Sequence, residues 1–332
     1  MEAAKSNNNT LAVVSGGSSQ SNPVQVSAPK AFIEANTIES SLEEIKNQHI
    51  IPVFVKDNEP VISHHDFINA TWDAVTDYFN DETVFRPSVR LSHPVKGRIP
   101  EAKNKPAIDL LDHEKTLYYE RMAFVIEIPS VHAEIDRNSL SLCVGGVKSY
   151  HMDNLNSKKG SDEHFKIFIG YQNRVCTNLC VWSDGYVGDI RVNSLNQLIG
   201  SIDTLLNSYS ADFHLQEMRQ LSNHSITEAQ FAHLLGRARI YQHLPLVEKE
   251  KLPSLLFGDN QIGTICKDYY RDNSFCRDSS GNINLWKLYN LFTGANKSSY
   301  IDSFLERGVN AYQFIEQIRF ELEGKATSWY LN

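Results

Sequence analysis

The chain has 332 residues, 41% hydrophobic and 22% charged, with a formal net charge of −8. These values describe a soluble globular protein of one large domain or two ordinary ones, and no run of 18 apolar residues offers a membrane span. The acidic balance argues against non-specific coating of duplex DNA; the five cysteines lack a disulfide framework and fit a reducing cytoplasm; and the opening Met-Glu-Ala-Ala-Lys-Ser has neither the basic start nor the apolar stretch of a secretory signal.

Residues 1–30, rich in Ser, Asn and Gly, are too polar to form a core, so a disordered tail is expected. A single domain over 31–332 follows, strand-rich over 50–192 and helical over 193–332. A short helix is predicted over 37–48, capped by Ser40 or Ser41. Residues 51–55 and 60–62 flank Lys-Asp-Asn-Glu as a hairpin. Asp66 is placed to cap a helix in which Ile68, Trp72, Val75 and Phe79 recur at helical spacing. Strands are predicted over 116–128, over 139–144 with Gly145-Gly146 as the stop, and over 164–171, with a polar loop over 151–163. Residues 175–182 and 186–192 read as a hairpin around Ser183-Asp184-Gly185.

From residue 194 the period becomes helical, with Leu195, Leu198, Ile202, Leu205 and Leu206 as a stripe. Ser225-Ile-Thr-Glu228 reads as a capping box for a helix to about His243. Further helices are predicted over 259–269, 283–293, 298–306 and 308–323. Strands first and helices later argue for an α+β fold, a mainly antiparallel sheet in the N-terminal half packed with a helical C-terminal half.

Residues 86–99 carry the clearest functional pattern. Arg86, Arg90, Lys96 and Arg98 fall on even positions, and Val89, Leu91, Val95 and Ile99 on odd ones. In an extended chain these sets point to opposite faces, with alternate side chains about 6 to 7 Å apart. Lys103 and Lys105 follow, and Glu101 alone offsets them between 86 and 105. Such a row suits successive phosphates, and Tyr118, Tyr119, Tyr171 and Trp182 in the same sheet region are candidate stacking platforms. The same charges, with Pro87 and Pro94, also suit the guarding of an edge strand.

Other motifs are weaker. Cys176 and Cys180 on one strand stand about 13 Å apart, too far to chelate one ion, and read as buried free thiols. Thr293-Gly-Ala-Asn-Lys-Ser-Ser lacks the glycines of a phosphate loop and reads as a helix C-cap at Gly294 and an N-cap near Ser298, with an anion site beside Lys297 as a residual role. Glu101-Ala-Lys103 has the acid-x-Lys form of metal-dependent nucleases, with Asp77 or Asp81 as the upstream acid. His64-His65-Asp66 reads as an exposed helix cap rather than a metal set. No nucleophile, catalytic set or cofactor motif is assigned.

Four strings carry a family resemblance: Leu91-Ser-His-Pro-Val-Lys-Gly-Arg-Ile-Pro, Leu117-Tyr-Tyr-Glu-Arg-Met, His164-Phe-Lys-Ile-Phe-Ile-Gly-Tyr, and Thr293-Gly-Ala-Asn-Lys-Ser-Ser-Tyr-Ile-Asp-Ser-Phe-Leu. Together they resemble an uncharacterised domain-of-unknown-function family of conjugative and other mobile elements in Bacteroides-type bacteria, over roughly residues 40–332. Arg174-Val-Cys-Thr-Asn-Leu179 is similar, more distantly, to phage/plasmid-like proteins of unknown function. The resemblance implies genomic company in replication, transfer or recombination, and supplies no catalytic residue. The expected function is therefore non-catalytic binding of nucleic acid, single-stranded, through Arg86, Arg90, Lys96, Arg98, Lys103 and Lys105, in a cytoplasmic protein without a cofactor. The alternatives are a module that binds a host or element protein and, more remotely, the nuclease.

Overall fold

One long antiparallel sheet organises the N-terminal half. The structure, a computed structural model, describes residues 31–49, 62–153, 162–326 and 329–332. The predicted tail, the predicted hairpin apart from Ile62, and residues 154–161 of the predicted polar loop lie outside the described residues.

The sheet runs β1 (Ile38–Ser40), β2 (Ser88–Arg98), β3 (Lys115–Ile135), β4 (Asn138–Ser149) and β5 (Glu163–Asn173), each antiparallel to the next. β6 (Leu179–Cys180) and β7 (Tyr186–Val192) both add to β5, at Tyr171↔Cys180 and Phe168↔Tyr186. The predicted hairpin between them is thus replaced by two segments that each pair with β5. Asp136 and Arg137, both at positive φ, make the two-residue turn that joins β3 to β4 between the paired Ile135 and Asn138.

The sheet is covered on both faces. On one side Phe67 meets Phe124 and Phe165 edge-on, at centroid distances of 5.1 and 5.0 Å. Phe67 belongs to α2 (His64–Tyr78), which follows α1 (Leu42–Gln48). α3 (Leu195–Ser208) adds Leu198, Ile202, Leu205 and Leu206 to the same core. On the other side Ala123, Val125, Cys143, Val147 and Phe168 pack with Ile301, Phe304, Leu305 and Val309.

Two buried faces explain why the middle strands do not alternate: β4 and β5 are almost continuously buried. They also explain Gly145 and Gly146, which lie inside β4 rather than ending it. A Cβ on Gly145 would stand 2.1 Å from the Phe124 carbonyl oxygen, and one on Gly146 2.5 Å from the Phe67 ring.

The remaining helices are α4 (Ala211–Leu221), α5 (Glu228–His243), α6 (Leu246–Lys249), α7 (Asp259–Arg271), α8 (Leu285–Asn296) and α9 (Ile301–Leu322), with β8 (Ser225–Ile226) pairing β9 (Ile283–Asn284). α9 is one helix where two were predicted, with Gly308 in its interior facing Asn296 of α8. Gly294 lies within α8 and Tyr300 is the N-cap of α9. Lys297 is buried, its ammonium donating to Thr177 Oγ1 at 2.9 Å and to the Cys176 carbonyl, so it anchors the turn before β6. The predicted α+β class holds: curled antiparallel sheet first, helices after.

Candidate nucleic-acid interface

β2 puts Val89 and Leu91 in the core, as the alternation requires. Its cations meet three different environments. Arg90 is half-buried and donates through Nε to Thr37 Oγ1 (3.0 Å) and through its second guanidinium nitrogen to the Thr37 carbonyl (2.9 Å). Arg98 is half-buried and donates to the Lys105 carbonyl, while Lys105 pairs with Glu114. Arg86, which precedes the strand, Lys96 and Lys103 are exposed and form no ion pair among the described residues. A neutral carbonyl orients a guanidinium without cancelling its charge, so Arg90 and Arg98 stay uncompensated; Lys105 does not.

The strand is interrupted at His93, whose φ of 60° breaks the extended run. Ser92, at a predicted exposed position, is buried, because α9 covers that face: Arg121, paired with Ser92, reaches Asp302 at 2.9 Å. The row of cations is therefore split into an anchored end at Arg90 and an open end from Lys96 onward.

The partner strand β3 walls a cleft. Val95 pairs with Tyr118 and Pro94 with Tyr119, and both tyrosines line a cavity of about 150 Å³ together with Lys46, His49, His64 and Tyr150. Each wall follows from local sequence. Ser63 caps α2, accepting from the Asp66 N–H while Asp66 accepts from the Ser63 N–H, and so fixes His64 at the first helical position. Asp66 is thus the third helical residue, which closes the box, rather than the cap, and His64 is buried rather than exposed. Its ring stacks on Tyr150 at 4.1 Å, and its backbone N–H donates to the Tyr150 hydroxyl at 3.1 Å. Ser41 caps α1, which ends at His49, whose ring lies 4.8 Å from that of Tyr119.

The polar atoms of the cleft are unevenly satisfied. His64 Nε2 lies 2.9 Å from the Tyr119 carbonyl, an acceptor, so this nitrogen carries the proton and Nδ1 presents a lone pair. His64 Nδ1 and His49 Nδ1 are both buried without a hydrogen-bond partner. Burial pushes the His64 pKa down to about 3 and that of His49 below its ordinary value, so both rings are neutral near pH 7. Lys46, on the rim, is exposed and makes no ion pair among the described residues.

Behind Tyr150 lies a buried ion cluster. Lys148 Nζ contacts Asp153 at 3.0 Å and Glu163 at 2.6 Å, and stands 3.9 Å from the centroid of Phe165. Glu163 also accepts from the Ile62 N–H and Asp153 from the His164 N–H. These bonds hold the start of α2 and the ends of β4 and β5 together.

The other sequence candidates lie elsewhere. Tyr171 is buried in the core, and Trp182 packs on Phe213 and His214. Glu101 is exposed in a short turn, and among the described residues no group of three or more His, Cys, Asp or Glu side chains is placed to hold a metal ion. No disulfide joins cysteines among the described residues, and Cys143 and Cys180 are buried. Sequence reading missed Lys46, His49 and Tyr150, which reach Tyr118 and Tyr119 only through tertiary contact.

A two-faced antiparallel sheet carrying cations and an aromatic cleft on one strand pair defines an α+β protein with a candidate binding surface. A family described as "Domain of unknown function, B. Theta Gene description (DUF3871)" matches residues 16–331, and the chain belongs to that family. No curated protein and no solved structure matches it.

Proposed function

We propose that this protein binds single-stranded nucleic acid without acting on it chemically, and that it serves the maintenance, transfer or recombination of a mobile element. One observation carries the reading: exposed, uncompensated cations and tyrosines share the β2–β3 pair, with Lys96 paired to Leu117 and Val95 to Tyr118. Single-strand binders combine these two features, a positive track for phosphates and aromatic faces for bases. Arg86, Lys96 and Lys103 supply the track, Lys46 extends it on the far rim, and Arg90 and Arg98 add oriented charge.

Labelled 20-mers titrated at two salt concentrations test this. Each phosphate contact on a single strand contributes about 0.7 to the slope of log affinity against log salt, so three or four contacts give a slope of roughly −2 to −3. Lys96→Ala with Lys103→Ala lowers that slope by about 1.4. Equal affinity at both salts, or a slope unchanged in the double variant, overturns the reading.

A second surface favours a protein partner. The groove between α2 and α3, about 560 Å³, is lined by Asp66, Asp73, Asp77 and Asp203 beside Tyr78 and Leu195. A basic, partly apolar helix suits that lining, and its binding would leave the oligonucleotide titration flat.

A further inference from the structure

We infer that the free edge of β7 is a docking site for an extended basic peptide, which joins the sheet as an added strand in the groove between β7 and α3. β7 pairs with β5 on one side, and among the described residues no strand pairs with its other side. Such an edge leaves the N–H and C=O groups of alternate residues without ladder partners and is a template for a further strand. Val187, Asp189 and Arg191 of β7 are exposed. A groove of about 660 Å³ runs along this edge. Its border includes four consecutive residues, Asp189, Ile190, Arg191 and Val192, whereas a hollow over one face of a strand meets alternate residues only. No residue of β5 lines it, so it lies on the side away from the ladder.

The opposite wall leaves room for a backbone. α3 presents Gly200, Ser201, Thr204 and Ser208 there, and a Cβ on Gly200 would meet nothing within 4 Å. The three hydroxyls donate to carbonyls of their own helix, at Gln197, Gly200 and Leu205, so they ask nothing of an occupant. Main-chain bonds to β7 therefore hold the peptide, as in strand addition to other sheet edges. Ile190, Val192 and Leu205, almost wholly buried, form an apolar floor for its alternate side chains.

Charge decides what kind of peptide fits. Asp184 precedes β7, and Asp162 accepts from Asn193, the residue after it, at 3.2 Å; neither forms an ion pair among the described residues. Asp189 and Arg191 answer each other at 2.9 Å. Two unanswered carboxylates thus stand at the ends of a seven-residue strand about 20 Å long, with no unanswered cation beside them among the described residues. An extended segment with a lysine or arginine near each end complements them, and an acidic one is repelled.

The site shares no residue with the β2–β3 surface, so it stands or falls apart from the nucleic-acid reading. Nine-residue peptides alternating valine and threonine, with lysine or glutamate at both ends, are titrated against the whole protein. The lysine peptide is expected to bind about tenfold tighter than the glutamate one, the margin of two exposed ion pairs. It slows amide hydrogen exchange over residues 186–192. Two further lysine peptides carry N-methyl groups on one or the other set of alternate backbone nitrogens. One set faces β7 and lowers affinity by about tenfold or more; the other faces solvent and leaves it within about twofold. Gly200→Leu, which fills the groove from an open position, lowers affinity about tenfold. Absent binding at millimolar peptide, or exchange slowed only elsewhere, overturns the site. Equal binding of the glutamate peptide overturns the basic assignment. N-methyl sets of equal effect overturn strand addition, and unchanged affinity in folded Gly200→Leu overturns the placement beside α3. The peptide arms use the unaltered protein, so a variant that fails to fold leaves the test decisive.

Discussion

Two imidazoles sit beyond the reach of water. His214 is fully buried, with Nδ1 2.6 Å from the Tyr209 hydroxyl and the rings of Tyr171, Trp182 and Tyr312 around it; His64 lies under Tyr150. Burial pushes both down to about 3. In the unfolded chain each takes up a proton below about pH 6.5. Between 6.5 and 3 the unfolded state therefore binds more protons, and stability falls as pH drops through that window, by about 1.4 kcal/mol per pH unit for each ring at full difference. Urea unfolding between pH 7 and pH 4.5 is expected to show this steepening, and His214→Phe to remove one proton from the slope. Constant stability over that interval contradicts the burial of these rings. The same chemistry was only partly legible in the sequence. His64-His65-Asp66 marks a helix start, but the identity of the cap depends on Ser63, and the burial of His64 depends on Tyr150, 86 residues away.

At the level of elements, the Lys148 cluster joins what the chain keeps apart. Its ammonium and the two carboxylates are almost fully enclosed, and burial holds Asp153 above the usual carboxylate range in spite of Lys148. Removing one partner from such a group leaves unpaired charge inside and costs about 3–5 kcal/mol. Lys148→Met is expected to lose that much in chemical denaturation. Lys148→Met with Asp153→Asn and Glu163→Gln should recover part of it, since no lone charge then remains. A loss below about 1 kcal/mol in the single variant would show that the cluster is wetter than the geometry requires. Elements with one buried face or stripe were legible in advance: α2, the stripe of α3, the core side of β2. Those buried on both sides were not. Gly145-Gly146 imitates a turn because glycine alone fits between β3 and β5, and Gly308 imitates a break because it packs against α8. Ser225 imitates a cap, while Thr227 is the residue whose side chain accepts from Gln230.

Across the whole molecule the charge distribution poses the functional question. A chain of net charge −8 keeps Arg86, Lys96, Lys103 and Lys46 exposed and without ion pairs among the described residues. Glu127 of β3, Glu217 of α4 and Asp302, Glu306 and Glu316 of α9 are spent on internal ties to Arg174, Arg319, Arg121, Lys166 and Arg319. Overall repulsion with local attraction favours a strand led to one place over a duplex coated at random. The cationic positions were legible because β2 alternates; the cleft was not, because α1, α2, β3 and the turn after β4 meet only in the folded chain. Photo-crosslinking tests the placement directly. An oligo(dT) carrying 4-thiothymidine is irradiated with the protein and the adducts are mapped by peptide mass. Adducts are expected within residues 86–121 and at the cleft wall around residues 46–49. Adducts confined to residues beyond 193, or none, would contradict binding at the β2–β3 surface.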